Sequence, residues 1–300
     1  YKSDVVYYER RTNENGTARL NINLISGNYI LTAINPATGE MISNNITVLS
    51  TLDASDIVKY YKNNTQYLVY VLDDAGKPLF NQNVTFNING VYYDRITDSN
   101  GIAKLNINLN PGNYTITAIS SFNNEMHSNN IEVLPTISAS DLTMSYKDGS
   151  RFCAHVLDDT GNPLTESNVN FNINGVSYTR VSDNEGNAYL NINLEVGNYV
   201  ITSTNEKGLS ASNEITISKS NSIIDAHDAY IVAGLDSDYT VTLCGLNNNT
   251  IPFNTIDFKY NGVALSAVTN EKGEATIVIS NLSIGNYSLE CEFKGNMNYY

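Results

Sequence analysis

The 300-residue chain carries 17 Lys and Arg against 31 Asp and Glu, a net charge of −14, and no segment of it is basic. An acidic surface without cationic stripes argues against binding nucleic acid or anionic lipid, and no apolar run approaches the roughly 20 residues a membrane-crossing helix needs. Three cysteines without repeated spacing, Cys153, Cys244 and Cys291, provide neither a disulfide framework nor a metal site, although Cys244 and Cys291 fall in the same repeat and could pair if its sheets bring them together.

Reading from the N-terminus, a leucine, two variable residues and Gly-Asn-Tyr first occur as Leu24 to Tyr29, then return at Leu109 to Tyr114, Leu194 to Tyr199 and Leu282 to Tyr287. The first three glycines, Gly27, Gly112 and Gly197, are 85 residues apart, and the last step, to Gly285, is 88. That period is too long for a solenoid and suits a string of small domains. Tyr8, Arg10 and Gly16 align with Tyr93, Arg95 and Gly101, so the chain is expected to start inside a repeat and to be a window of a longer protein. The expected domains are a C-terminal half-repeat at 1–49, complete repeats at 50–134 and 135–219, and a divergent repeat at 220–300 lacking its last strand.

Within 50–134, period-two alternation bounded by Gly, Pro, Asn and Asp predicts seven short strands: 56–61, 67–72, 83–89, 91–97, 103–109, 113–119 and 129–134. Val84, Phe86 and Ile88 take one face, as do Leu105, Ile107 and Leu109, which makes one face core and the other wet. Turn chemistry recurs with the repeat. Asn89-Gly90, Asn174-Gly175 and Asn261-Gly262 predict tight hairpins in which both residues need positive φ. Short linkers such as Leu134-Pro135-Thr136 predict a semi-rigid rod.

A tyrosine just after a glycine corner, entering the next-to-last strand, has the layout of the tyrosine corner of immunoglobulin-like sandwiches. Tyr29, Tyr114, Tyr199 and Tyr287 are expected to fill it. With no tryptophan and no cysteine pair bridging the sheets, the antibody version is excluded and the fold class is all-β: tandem immunoglobulin-like seven-stranded β-sandwiches.

The segments Val71-Leu-Asp-Asp-Ala-Gly-Lys-Pro-Leu79, Val84-Thr-Phe-Asn-Ile-Asn-Gly-Val91 and Thr97-Asp-Ser-Asn-Gly-Ile-Ala-Lys-Leu-Asn-Ile-Asn-Leu109, with their third-repeat copies, resemble the bacterial-type immunoglobulin-like repeats of adhesin-like surface proteins of methanogenic archaea. Phe293-Lys-Gly-Asn-Met-Asn-Tyr299 resembles a related subtype. The resemblance implies a large, extracellular, wall-associated protein, and it specifies the domain type more closely than the activity.

Catalytic patterns are absent: His127, His155 and His227 stand in non-equivalent positions, without paired-ligand spacing or a nucleophile elbow. Paired acids Asp73-Asp74 and Asp158-Asp159 suggest calcium, to which Asp53, Asp56 and Asp141 at domain junctions would add oxygens, but Asp before Gly-x-Pro is also ordinary turn chemistry. No other cofactor is expected. Eight Asn-x-Ser/Thr sites are candidate glycan acceptors: Asn15, Asn45, Asn63, Asn83, Asn113, Asn248, Asn281 and Asn286, with Asn63 expected to be the most accessible. Lys62 and Lys147, with Asn129 and Asn213 on the closing strand, supply the ingredients of an internal lysine-to-asparagine bond, although both lysines open a polar turn.

These observations predict a non-catalytic stalk projecting a binding region from a cell wall, whose partners are other cells or surface glycans and proteins. The alternatives are that the repeats themselves bind, to glycans or by strand addition at an exposed edge, or that they are accessory modules of a wall-acting enzyme.

Overall fold

The computed structural model describes residues 6–300, and every regular element in it is a β-strand. The chain divides into two compact units, the first ending at Leu134 and the second spanning Pro135–Tyr300.

In the first unit, β1 (Gly27–Ile34) and β2 (Met41–Val48) form an antiparallel hairpin. Eight strands follow: β3 (Leu52–Ala54), β4 (Ile57–Tyr60), β5 (Gln66–Val71), β6 (Asn83–Ile88), β7 (Val91–Ile96), β8 (Ile102–Asn106), β9 (Gly112–Ser120) and β10 (Met126–Leu134). They make two sheets, β3-β5-β8 and β4-β10-β9-β6-β7. All pairings are antiparallel except that of β4 with β10, whose register runs from Ile57↔Ile131 to Tyr60↔Leu134.

The second unit opens with the same plan: β11 (Ile137–Ala139), β12 (Leu142–Ser145), β13 (Arg151–Val156), β14 (Asn168–Ile173), β15 (Val176–Val181), β16 (Asn187–Asn191), β17 (Gly197–Asn205) and β18 (Ser210–Ser218). Its sheets are β11-β13-β16 and β12-β18-β17-β14-β15, again with one parallel pairing, β12 on β18. The remaining strands are β19 (Ser222–Asp225), β20 (Ser237–Gly245), β21 (Thr255–Tyr260), β22 (Val263–Val268), β23 (Glu274–Ile279) and β24 (Leu289–Glu292), in sheets β19-β20-β23 and β22-β21-β24.

The complete repeats are immunoglobulin-like β-sandwiches. Val84, Phe86 and Ile88 from one sheet meet Tyr67, Val69, Val71, Ala103 and Leu105 from the other in a closed core, and Val169, Phe171 and Ile173 take the same places in the next repeat. Truncating one of these phenylalanines to alanine removes about 3–5 kcal/mol from a core of this kind. The hairpins turn at Asn89-Gly90, Asn174-Gly175 and Asn261-Gly262, and every one of these six residues has φ between 46° and 77°.

The strand count differs from the sequence expectation by one. The expected strand 56–61 is the second half of a broken edge: β3 pairs with β5 in one sheet, and β4 with β10 in the other. The break falls at Ser55-Asp56, where the Asp56 carboxylate accepts the Asn130 N–H at 2.8 Å and the Asn129 amide at 3.1 Å. That carboxylate tethers the crossing chain to β10, and a change of sheet also breaks the alternation from which a single strand would be read. In residues 220–300 no strand follows β24 among the described residues, and residues 226–236, between β19 and β20, form none. The counterparts β4 and β12 are held only by their parallel partners β10 and β18, so the two absences go together.

Candidate functional site

The Gly-x-Tyr corner recurs in all four copies of the motif. The Tyr29 hydroxyl donates to the Ile25 carbonyl, Tyr114 to Asn110 and Tyr199 to Glu195, each at 2.8 Å and four residues upstream, while Tyr287 donates to Ser283 at 3.2 Å. The glycine is part of the mechanism. Gly27, Gly112 and Gly197 have φ of 154°, 151° and 158°, and a Cβ on any of them would stand 3.4–3.5 Å from the tyrosine hydroxyl, an ordinary contact. Backbone conformation rather than lack of space therefore favours glycine here, and the ring beside it carries its hydroxyl to the loop.

A second repeated device ties the broken first strand to the last strand. In residues 50–134, Asn129 donates to Asp56 and to the Ala54 carbonyl, and its Oδ1 accepts the hydroxyl of Tyr67 at 2.6 Å; the tyrosine is wholly buried. In the following repeat Asn213 donates to Asp141 and Ala139 in the same manner, but Phe152 replaces the tyrosine and Asn213 Oδ1 is buried without a partner among the described residues. Hydrogen bonds from backbone and amide hold the Asp56 and Asp141 carboxyls below the ordinary aspartate range, and burial pushes the Tyr67 phenol well above its own.

These contacts define the surroundings of the crosslink candidates. Asn129 and Asn213 are engaged in the tie, whereas Lys62 and Lys147 stand in turns at φ of 60° and 55°, their ammonium groups 5.3 and 5.2 Å from the rings of Tyr61 and Tyr146. Two of the calcium candidates are engaged in their own turns. Asp73 Oδ1 accepts the N–H groups of Ala75 and Lys77, and Asp158 Oδ1 those of Thr160 and Asn162 plus the Thr160 hydroxyl, which lowers the Asp158 pKa to about 2. Among the described residues no three acids, histidines or cysteines converge on one point.

Of the glycan candidates, Asn15, Asn45, Asn113, Asn248, Asn281 and Asn286 are exposed, while Asn63 and Asn83 are half-buried. Asn63 is not the open acceptor that its turn suggested. Its Oδ1 caps Thr65 through both N–H and hydroxyl, and its carbonyl accepts an ammonium from Lys59. All three cysteines are free thiols, so Cys244 and Cys291 do not pair.

The chain matches no protein-family model and no curated protein. Among solved structures it is similar to a tandem from titin, at 14% identity over 83% of this chain and 97% of that one, with a TM-score of 0.36. An adhesin of Yersinia pseudotuberculosis is similar at 12% identity over 56% and 58%, with a TM-score of 0.26. A calcium-stabilized adhesin with which an Antarctic bacterium binds ice is similar at 13% identity over 88% and 79%, with a TM-score of 0.20. The repeat type is immunoglobulin-like. At scores this low the alignments carry no argument about function, and the assignment rests on the strand order and pairing described above.

Two features were not picked out from the sequence. Lys59 is buried, with its ammonium donating to the carbonyls of Asn63, Thr65 and Ile107, the last at 2.8 Å; desolvation lowers its pKa. The available signal was its place in phase with Ile57 on an inward-facing strand, where the next repeat has Met144. The other is an opening of about 380 Å³ beside β13, lined by Ser138, Asp141, Arg151, Cys153 and His155 among others. There Cys153 and His155 both address Asn187 Oδ1, at 3.8 and 3.1 Å, and burial pushes the Cys153 thiol up, away from the reactive thiolate.

Proposed function

We propose that this chain is part of the non-catalytic stalk of a large adhesin-like protein at the cell surface, with complete repeats at 50–134 and 135–219 flanked by partial or divergent ones at 1–49 and 220–300. The observation that carries the reading is the parallel pairing of the first-edge strand with the last strand in both complete repeats, β4 with β10 and β12 with β18. In a parallel pair the entering and leaving ends of the repeat lie at opposite ends of the ladder. Tension along the chain then loads these hydrogen bonds together, in shear, rather than peeling them singly. The archaeal wall-associated setting, the extracellular location and the use of Asn15, Asn45, Asn113, Asn248, Asn281 and Asn286 as glycan acceptors follow from the resemblance of the repeat segments and from the exposure of those side chains. We read the four motif tyrosines as structural corner residues.

A second reading, in which the repeats themselves bind, is favoured by the free edges β7 and β15. All six residues of each strand are exposed, Tyr92 and Ile96 among them, and each strand ends its sheet with unpaired backbone groups. Binding of the 300-residue chain to intact neighbour and host cells and to a glycan array separates the two. The stalk reading expects no saturable binding, and saturable binding abolished by proline at Tyr92 and Ser177, whose N–H groups face the free edge, would replace it with the second.

A further inference from the structure

The two observed joints between successive repeats within a compact unit use the same two positions. In the first unit, Glu125 lies in the loop after the tyrosine strand β9, 11 residues beyond Tyr114. Its carboxylate accepts the N–H and hydroxyl of Thr51, at 2.9 and 2.6 Å, and Ser26, the residue immediately before the motif glycine Gly27 of the preceding repeat, is among the groups that hold its pKa down. Asn123 reinforces the grip by donating to Thr51 Oγ1 at 2.9 Å.

In the second unit, Asn298 lies in the loop after the tyrosine strand β24, also 11 residues beyond its motif tyrosine, Tyr287. Its Oδ1 accepts the N–H of Val196, the residue immediately before the motif glycine Gly197, and its Nδ2 donates to the Glu195 carboxylate. Its carbonyl accepts the N–H of Ser220, at the start of its own repeat, at 2.9 Å. Around it Tyr299, buried to 4% exposure, meets the edge of Tyr146 with ring centroids 5.3 Å apart, and Asn247 and Asn249 donate to the Lys147 carbonyl.

We infer that the position before the motif glycine is the docking point for the following repeat, and that the loop after the tyrosine strand is the clamp that seats on it. The same Leu-x-x-Gly-Asn-Tyr element thus closes its own domain through glycine and tyrosine and orients the next one through its variable residues. Different side chains stand at the equivalent positions, a glutamate beside a serine in one joint and an asparagine bonded to a backbone N–H and a glutamate in the other. This is independent of whether the array spaces or binds.

Residual dipolar couplings on the full chain test it. The expected result is one alignment tensor fitting residues 137–218 and 222–299 together, and loss of that shared tensor in Asn298→Ala combined with Asn247→Ala and Asn249→Ala, with amide shifts inside each sandwich unchanged. These side chains lie outside the buried core, so the domains fold in the variant; Tyr299→Phe, which keeps the ring pair, is expected to retain the shared tensor. Separate tensors in the unaltered chain, or a shared tensor of unchanged magnitude in the triple variant, would overturn the clamp.

Discussion

Tyr67 and Phe152 occupy the same place in successive repeats and differ by one hydroxyl, which decides whether the asparagine of the strand tie is satisfied. Tyr67→Phe leaves Asn129 Oδ1 buried and unpaired, which costs about 1–3 kcal/mol, and Phe152→Tyr offers Asn213 a donor, for a gain of about 1 kcal/mol. Urea denaturation of the full chain with exchange protection followed at Val69 and at Ala154 checks both, and the two substitutions are expected to act in opposite directions on their own repeats. The Glu125 clamp adds a pH dependence. Burial alone would raise its pKa, but hydrogen bonds from Thr51, Ser26 and Ser50 outweigh it and bring the value from an ordinary 4.5 down to about 2. A depressed folded-state value means that the carboxylate stabilises the joint fully above pH 4.5 and progressively less as pH falls toward 2. Glu125→Gln is therefore expected to flatten the acid limb of the stability curve in that window, measured by thermal melts across pH.

At the scale of elements, the strands, hairpins and core faces of each repeat were legible because local rules agree. Alternation of Val84, Phe86 and Ile88 with polar neighbours needs only the period of a strand, and Asn89-Gly90 needs only positive φ at two residues. The division of the first edge at Asp56 was illegible, because the carboxylate that tethers it draws on Asn129 and Asn130, more than seventy residues away. Glycines show the same contrast. Gly90 and Gly186 share a φ near 76°, but a Cβ at Gly90 meets open space and one at Gly186 stands 2.5 Å from the Val156 carbonyl oxygen. Gly90→Ala is expected to cost about 1–2 kcal/mol, the penalty of left-handed backbone alone. Gly186→Ala is expected to cost well above that, because the facing atom belongs to a neighbouring strand. Paired melting curves of the two variants read the difference directly.

For the molecule as a whole, the 85-residue period marks an array, and on the proposed stalk reading the parallel pairs β4-β10 and β12-β18 are where its repeats would bear tension. Single-molecule extension of the full chain is expected to show two equal unfolding steps from the complete repeats. At roughly 3.5 Å per extended residue over about 85 residues, each releases about 300 Å of chain before the folded span is subtracted. A proline at Glu132, whose backbone faces β4 in the parallel pair, is expected to lower the unfolding force of its own step and leave the other unchanged. Equal forces in both steps after that substitution would show that shear at this pair does not set the barrier.

What the sequence by itself determined is the repeat, the all-β class and the inward faces, because each is written in residues that are neighbours along the chain or in copies of a neighbourhood. What only the tertiary structure decided is the sheet change at Asp56, the satisfied and unsatisfied states of Asn129 and Asn213, the burial of Lys59 and the seating of Glu125 and Asn298 on the preceding repeat. Those depend on groups that meet only after the sheets have packed. A hydrogen bond is made at about 3 Å, and no spacing along the chain specifies which distant donor will stand at that distance.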